Sequence, residues 1–262
     1  MAEVIVVGSR KAAGALVAEA IERLVAVQPD AVLGLATGDT PVPVYRALAE
    51  RVRAGLDLSA VRGFALDEYV GIPVGHPQSY HSVIDAEVVV PLGLNPAAVH
   101  VPDGRSLGIE TAGERYEAAI LASGGIDLQI LGIGTDGHIG FNEPGSSFAS
   151  LTRVKTLTRQ TREDNARFFD SVDEVPVHSI TQGLGTILRA RRLVLLAFGA
   201  AKAHAVAAAV EGPLTASVPA SAIQLHPRAT VVVDEEAASM LGELEYYRDA
   251  FENKPTWDPV IL

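Results

Sequence analysis

The chain has 262 residues, 48% of them hydrophobic and 20% charged, an ordinary composition for a soluble globular protein able to bury a large core. Its formal net charge of −11 repels polyanions at long range, which argues against nucleic acid as the main partner while leaving room for one small phosphorylated ligand held by local cations. The absence of cysteine excludes disulfides, thiolate catalysis and cysteine-bound metals.

Residues 3–7 (EVIVV) read as a strand, and 10–27 carries helical spacing with Leu16, Ala20, Leu24 and Val25 on one face. AVLGLAT at 31–37 predicts a second strand, followed by a helix opening near Pro41, a residue suited to a first turn. GFALDEY at 63–69 predicts a third strand end, and a long polar connection runs through 71–82. A helix at about 107–122 precedes IDLQILGIG, a buried strand. The stretch from about 145 to 180, charged and poor in strand signals, is expected to form a lid or an insertion. RLVLLAFG (192–199) then predicts strand, AKAHAVAAAVEG (201–212) helix, and ATVVVDEEAASML (229–241) strand followed by helix.

This alternation predicts a Rossmann-like α/β fold, a mainly parallel sheet with helices on both faces. No proline- or serine-rich linker divides the chain, so residues 1–262 are read as one domain. The start MAEVIVVGSRKAAG lacks the features of a secretory signal, and the longest apolar run is broken by Lys202 and His204. A cytoplasmic protein with no membrane span is expected.

Four segments could carry chemistry. LGIGTDGHIGFNEP at 131–144 packs Asp136, His138 and Glu143 into a glycine-rich loop after a strand, where α/β enzymes carry working groups. An imidazole flanked by carboxylates has a fixed tautomer and a base strength near neutrality. The same three residues could ligate a cation, although one histidine without a second ligand cluster is a sparse donor set. GLATGDTP at 34–41 ends a strand and opens a helix, so backbone amides with the hydroxyls of Thr37 and Thr40 could hold an anion. It is neither a Walker A loop nor a dinucleotide fingerprint, and Asp39 in its middle opposes a phosphate unless it turns away. In ALDEYVG at 65–71, Asp67 and Glu68 follow a strand directly, and alternation lets only one of them face a pocket. Among the cations Arg162, Arg167 and Lys202, the lysine opens a helix, where it opposes the helix dipole unless an anion binds there. The histidines at 76, 81, 100, 178, 204 and 226 show no ligand spacing.

Taken together, GLATGDTP, LDEYVGIP with a nearby SY, DGHIGFNEP, NARFF, FGAAKA and QLHP resemble the glucosamine-6-phosphate deaminase (isomerase) family, in family order from about residue 3 to 245. The resemblance implies conversion of glucosamine 6-phosphate to fructose 6-phosphate and ammonia, in amino sugar (N-acetylglucosamine) catabolism, with no cofactor and no metal in the chemistry. It implies that Asp67 moves a proton between C2 and C1, and that His138, with Asp136 and Glu143, opens the sugar ring. Thr37, Gly38, Thr40, Arg167 and Lys202 match phosphate-binding positions. Ser146, Arg153, Lys155, Thr156 and Tyr246 match an effector site for N-acetylglucosamine 6-phosphate, found in members that are hexamers, so a homo-oligomer is expected. Two departures stand out: Asp39 replaces a small residue, and the tail after Tyr246 leaves the family pattern. The competing readings are a 6-phosphogluconolactonase-like hydrolase and a non-enzymatic sugar-phosphate sensor. The second would need a DNA-binding segment that this acidic chain lacks.

Overall fold

Parallel strands dominate the molecule. The structure, a computed structural model, describes residues 2–73, 75–255 and 261. The end of the divergent tail, residues 256–260 and 262, lies outside the described residues.

Seven strands form one sheet: β1 (Glu3–Val7), β2 (Val32–Leu35), β3 (Arg62–Ala65), β5 (Val99–His100), β6 (Leu128–Leu131), β9 (Leu193–Ala197) and β10 (Ala229–Asp234). Every pairing among them is parallel, in the order β1-β10-β9-β6-β2-β3-β5. Helices cover both faces, so the central strands are apolar throughout rather than alternating: β6 and β9 are buried at each position. From β2 the chain winds outward through β3 and β5, then returns to the other side of β2 at β6 and winds the opposite way. The carboxyl ends of β2 and β6 therefore flank a topological switch point, where the splayed connections leave a crevice.

Helix α1 (Arg10–Val27) follows the expected apolar face, α2 (Val42–Arg53) opens directly after Pro41, and Ser9 caps α1 by accepting from Ala12 N at 3.1 Å. The expected polar connection over 71–82 is shorter than the sequence reading has it. Ser79 caps a helix, α3 (Tyr80–Ile84), that runs through a π turn (Asp85–Val89) into α4 (Val90–Leu92) and stops at left-handed Gly93. Ile84, Val88 and Leu92 recur every fourth residue and are buried, a helical stripe masked by the polar residues before it. Helices α5 (Ile109–Ala122), α6 (Arg159–Asn165), α7 (Leu184–Leu188), α8 (Ala203–Val210), α9 (Glu235–Ala238) and α10 (Leu244–Glu252) complete the set used below. Among the described residues no helix is long and apolar enough to cross a membrane.

A second sheet corrects two expectations. GFALDEY is not one strand: it breaks at Leu66, and β4 (Asp67–Tyr69) leaves the large sheet to pair antiparallel with β8 (His178–Thr181), which pairs in turn with β7 (Arg153–Thr156). The stretch 145–180 thus contains strands that are too short, at four residues each, for periodicity to reveal. The register sets Asp67, Thr181 and Arg153 in one row across this sheet. Tyr69, Phe141, Leu157 and Val175 form a small second core against it, with Tyr80 and Phe169 packed on its edge.

Candidate active site

A cleft of about 550 Å³ opens at the switch point. Thr37, Gly38, Thr40, Asp67, His138, Arg167 and Lys202 all line it, although they come from five separate stretches of chain. Asp136 and Glu143 stand against the imidazole of His138. The cleft contacts are made by strand ends, the loops after them, α3 with its π turn, and α6 with the turn that follows it.

His138 sits on the loop leaving β6. Gly134 makes room for it: a Cβ there would lie 2.3 Å from the His138 ring, so any side chain would displace the imidazole. Asp136 Oδ1 lies 2.7 Å from His138 Nδ1, off the line of the ring N–H, and also accepts the His138 backbone N–H at 3.1 Å. Partial burial works against the charge of Asp136, but the His138 side chain and backbone N–H hold its carboxyl down at about 2. Glu143 Oε2 is 3.9 Å from the same ring nitrogen, and its carboxylate accepts from Thr158 N (3.0 Å) and Thr158 Oγ1 (3.4 Å). One imidazole is thus faced by two carboxylates. Their donor atoms all lie within 4.8 Å of one another, close enough to serve a cation as well as a proton.

Asp67 arrives from the other side of the cleft. Burial is the main cause that pushes its carboxyl up to about 7; the neighbouring Glu68 adds to the rise, and His138 and Thr181 partly offset it. Thr181 Oγ1 lies 3.5 Å from Asp67 Oδ2 and accepts from Phe141 N at 3.1 Å. Gly140, at φ +54°, passes so close that a Cβ would sit 3.0 Å from Thr181 Oγ1 and 3.4 Å from Asp67 Oδ2. Glu68 points the other way, where it accepts backbone N–H groups from Tyr69, Tyr80 and His81 at 2.8–3.0 Å. It secures the start of α3 and does not line the cleft.

At the far end, Lys202 closes a 3₁₀ turn (Ala200–Lys202) ahead of α8. Two backbone amides of this turn are already taken by carboxylates: Asp234 accepts from Gly199 N at 2.9 Å, and Glu236 from Ala200 N at 3.3 Å. Burial pulls the Lys202 ammonium below its ordinary range, Arg167 pulls the same way, and Asp164 and Asp136 oppose them. Asp39 does not turn away from the site. Its Oδ2 lies 3.1 Å from Arg167 Nη2, bridging the 37–40 loop to the turn after α6.

Tyr80, Asn165 and Thr135 are among the lining residues left unassigned in the sequence reading. Tyr80 OH donates to Tyr69 OH (3.4 Å), Asn165 Nδ2 donates to the same oxygen (3.1 Å), and Thr135 Oγ1 donates to Asp164 Oδ2 (2.9 Å). These bonds tie α6 and its turn to β4 and to the His138 loop. Their traces in sequence are the SY pair, the NARFF segment and the threonine of the His138 loop. The five residues matched to an effector site lie outside the cleft. Ser146 is buried and donates to Glu143 O at 2.7 Å, Arg153 donates to Asn142 Oδ1 at 2.8 Å, and Lys155 and Thr156 follow on β7. Tyr246 is exposed on α10, which packs on β1 at the opposite sheet edge.

Residues 9–233 match the family of glucosamine-6-phosphate isomerases and 6-phosphogluconolactonases. The chain is 58% identical over 258 residues to the glucosamine-6-phosphate deaminase of Pseudarthrobacter chlorophenolicus, covering 98% of this chain and 100% of that one. It is 57% identical over 272 residues to that of Bifidobacterium longum subsp. infantis, covering 99% and 100%. A solved structure of a monomeric glucosamine-6-phosphate deaminase superposes with a TM-score of 0.88 at 40% identity, covering 91% of this chain and 99% of that chain. The 6-phosphogluconolactonase of Leishmania guyanensis shares the fold, with a TM-score of 0.72 at 21% identity over 91% and 98% of the two chains. This chain therefore belongs to the glucosamine-6-phosphate isomerase/6-phosphogluconolactonase family.

Proposed function

We propose that the protein converts glucosamine 6-phosphate and water to fructose 6-phosphate and ammonia. The observation that carries this reading is the separation of two proton-moving groups in one cleft: buried Asp67 on one strand end, and His138 with its carboxylates on another. The likeness to deaminases at 57–58% identity over nearly the whole chain supports the same substrate.

The phosphate is held by Lys202, Arg167 and the 37–40 loop, which places the sugar carbons between Asp67 and His138. His138 takes the proton of the anomeric hydroxyl and delivers one to the ring oxygen, opening the ring. Ionised Asp136, 2.7 Å from Nδ1, holds the imidazole in place for both transfers. Asp67 then removes the C2 proton, giving an enolamine, and returns a proton to C1, leaving an iminium at C2. Water adds to that carbon and ammonia departs, so the net reaction is hydrolytic. A carboxyl at about 7 is suited to both halves of the transfer, since it gains and loses a proton near neutral pH.

The reading extends to regulation in amino sugar catabolism. N-acetylglucosamine 6-phosphate bound by Arg153 and Lys155 in a homo-oligomer would pull on Asn142, and Ser146 on Glu143, so both contacts end on the His138 loop. Lactone hydrolysis is the second reading on this fold, but it gives a buried carbon base nothing to do. Purified protein incubated separately with glucosamine 6-phosphate and with 6-phosphogluconolactone tests the choice. Ammonia and fructose 6-phosphate in equal amounts are expected from the first, and acid release from the second with no ammonia from the first would overturn the proposal.

A further inference from the structure

Asp39 stands where a phosphate-binding loop can least accommodate it, and it makes an ion pair with a cation assigned to the phosphate. Its Oδ2 is 3.1 Å from Arg167 Nη2 across the cleft mouth, and both residues line the cleft. The loop and the turn that it joins are otherwise tied down from different sides. The loop runs from β2 into α2, whereas the turn hangs from α6 with the small second core. Burial raises the carboxyl of Glu87, another lining residue, and the nearby charge of Asp39 adds to the rise. Asp164 lies close to the second cation, Lys202. The two cations thus already face carboxylates of the chain itself.

We propose that Asp39 is a competing internal anion, which occupies Arg167 in the free protein and has to be displaced by the incoming phosphate. This rests on the reading of Arg167 and Lys202 as the phosphate end of the site. The pair can yield readily: both side chains are well exposed, 59% for Asp39 and 62% for Arg167, and such pairs contribute little in water. Displacement leaves the Asp39 carboxylate beside a dianion, so the cost persists in the complex. Asp39 thereby weakens ground-state binding and favours release of the phosphorylated product. It sets affinity and takes no part in proton transfer.

Titration calorimetry with inorganic phosphate and with fructose 6-phosphate tests this on four proteins: the parent, Asp39→Asn, Arg167→Ala and the double variant. Asp39→Asn is expected to lower Kd for both ligands by roughly three- to tenfold, the gain of removing a weak pair and a nearby like charge. In the Arg167→Ala background the same change should gain clearly less, because the pair is already gone and only the nearby like charge is removed. An unchanged or higher Kd in Asp39→Asn overturns the inference, as does a gain that survives intact without Arg167. If the parent binds fructose 6-phosphate and Asp39→Asn binds it no better, this inference alone fails. If no protein binds either ligand, the phosphate-site reading falls and takes the inference with it.

Discussion

Asp67 and Glu68 are neighbours in sequence and face opposite sides of β4, Asp67 into the cleft and Glu68 onto the backbone N–H groups that open α3. Extended backbone enforces that split, and it gives two buried carboxylates different tasks. They remain coupled, because the charge of Glu68 helps to raise Asp67.

Glu68→Gln should therefore separate structure from catalysis. Glutamine keeps one oxygen to accept from Tyr69 and Tyr80 but sets an NH2 group against the His81 N–H, which is expected to cost about 1–3 kcal/mol, seen as a lower Tm. Removing the charge should let Asp67 ionise more easily, so the acid limb of the kcat/KM profile moves to lower pH. An acid limb that stays put or moves upward refutes the coupling.

The role proposed for Asp67 as a base fixes the parent's own pH profile. Only the carboxylate can take the C2 proton, so kcat/KM should rise through pH of about 7 and level off above it. An acid limb centred near the ordinary carboxylate range would mean that a different group is the base.

Stability should run against activity at the same residue. The Asp67 carboxyl goes from 3.8 unfolded to about 7 folded, so between those values the folded chain holds a proton that the unfolded chain has released. Stability contributed by this group therefore falls as pH rises through that window, and ionised Asp67 is a burden above it. Asp67→Asn removes the burden. Its Tm at about pH 8 should exceed the parent's by on the order of 5 °C, with the gain fading toward pH of about 4. Equal Tm values at both ends would contradict the burial account.

Gly134→Ala places a methyl group 2.3 Å from the His138 ring and 2.7 Å from Asp136 Oδ1 while leaving both acid/base side chains chemically unchanged. The imidazole has to move, and turnover should fall by roughly 100-fold with little change in Tm. Retained turnover would show that the ring position is not critical.

Lys202→Ala should raise KM for a sugar phosphate by roughly 10- to 100-fold, the cost of one charge-assisted phosphate contact. A similar KM for the corresponding unphosphorylated sugar in parent and variant would confirm that the contact is to the phosphate. A KM for glucosamine 6-phosphate unchanged from the parent's would remove Lys202 from the site.

Much of the large sheet was legible because its strands are buried on both faces and read as continuous apolar runs, such as LVLLA in β9. The His138 loop was legible because glycines and acid/base residues are concentrated in one stretch after β6. The small sheet was not, since β7 and β8 hold four residues each and alternate only once or twice. The α3–α4 helix was hidden by the polar stretch before it. The Asp39–Arg167 pair joins residues far apart in sequence, and only the docking of α6 over the cleft brings them together. Sequence marked Asp39 as opposing a phosphate but could not say what it touches.

The account turns on Asp67 as the carbon base, and one comparison tests it most directly: ammonia release from glucosamine 6-phosphate at about pH 8 by the parent and by Asp67→Asn. The parent should release ammonia and fructose 6-phosphate in equal amounts, while the variant should be slower by roughly a factor of 1,000 or more yet bind fructose 6-phosphate undiminished. Comparable turnover by the two proteins would contradict it.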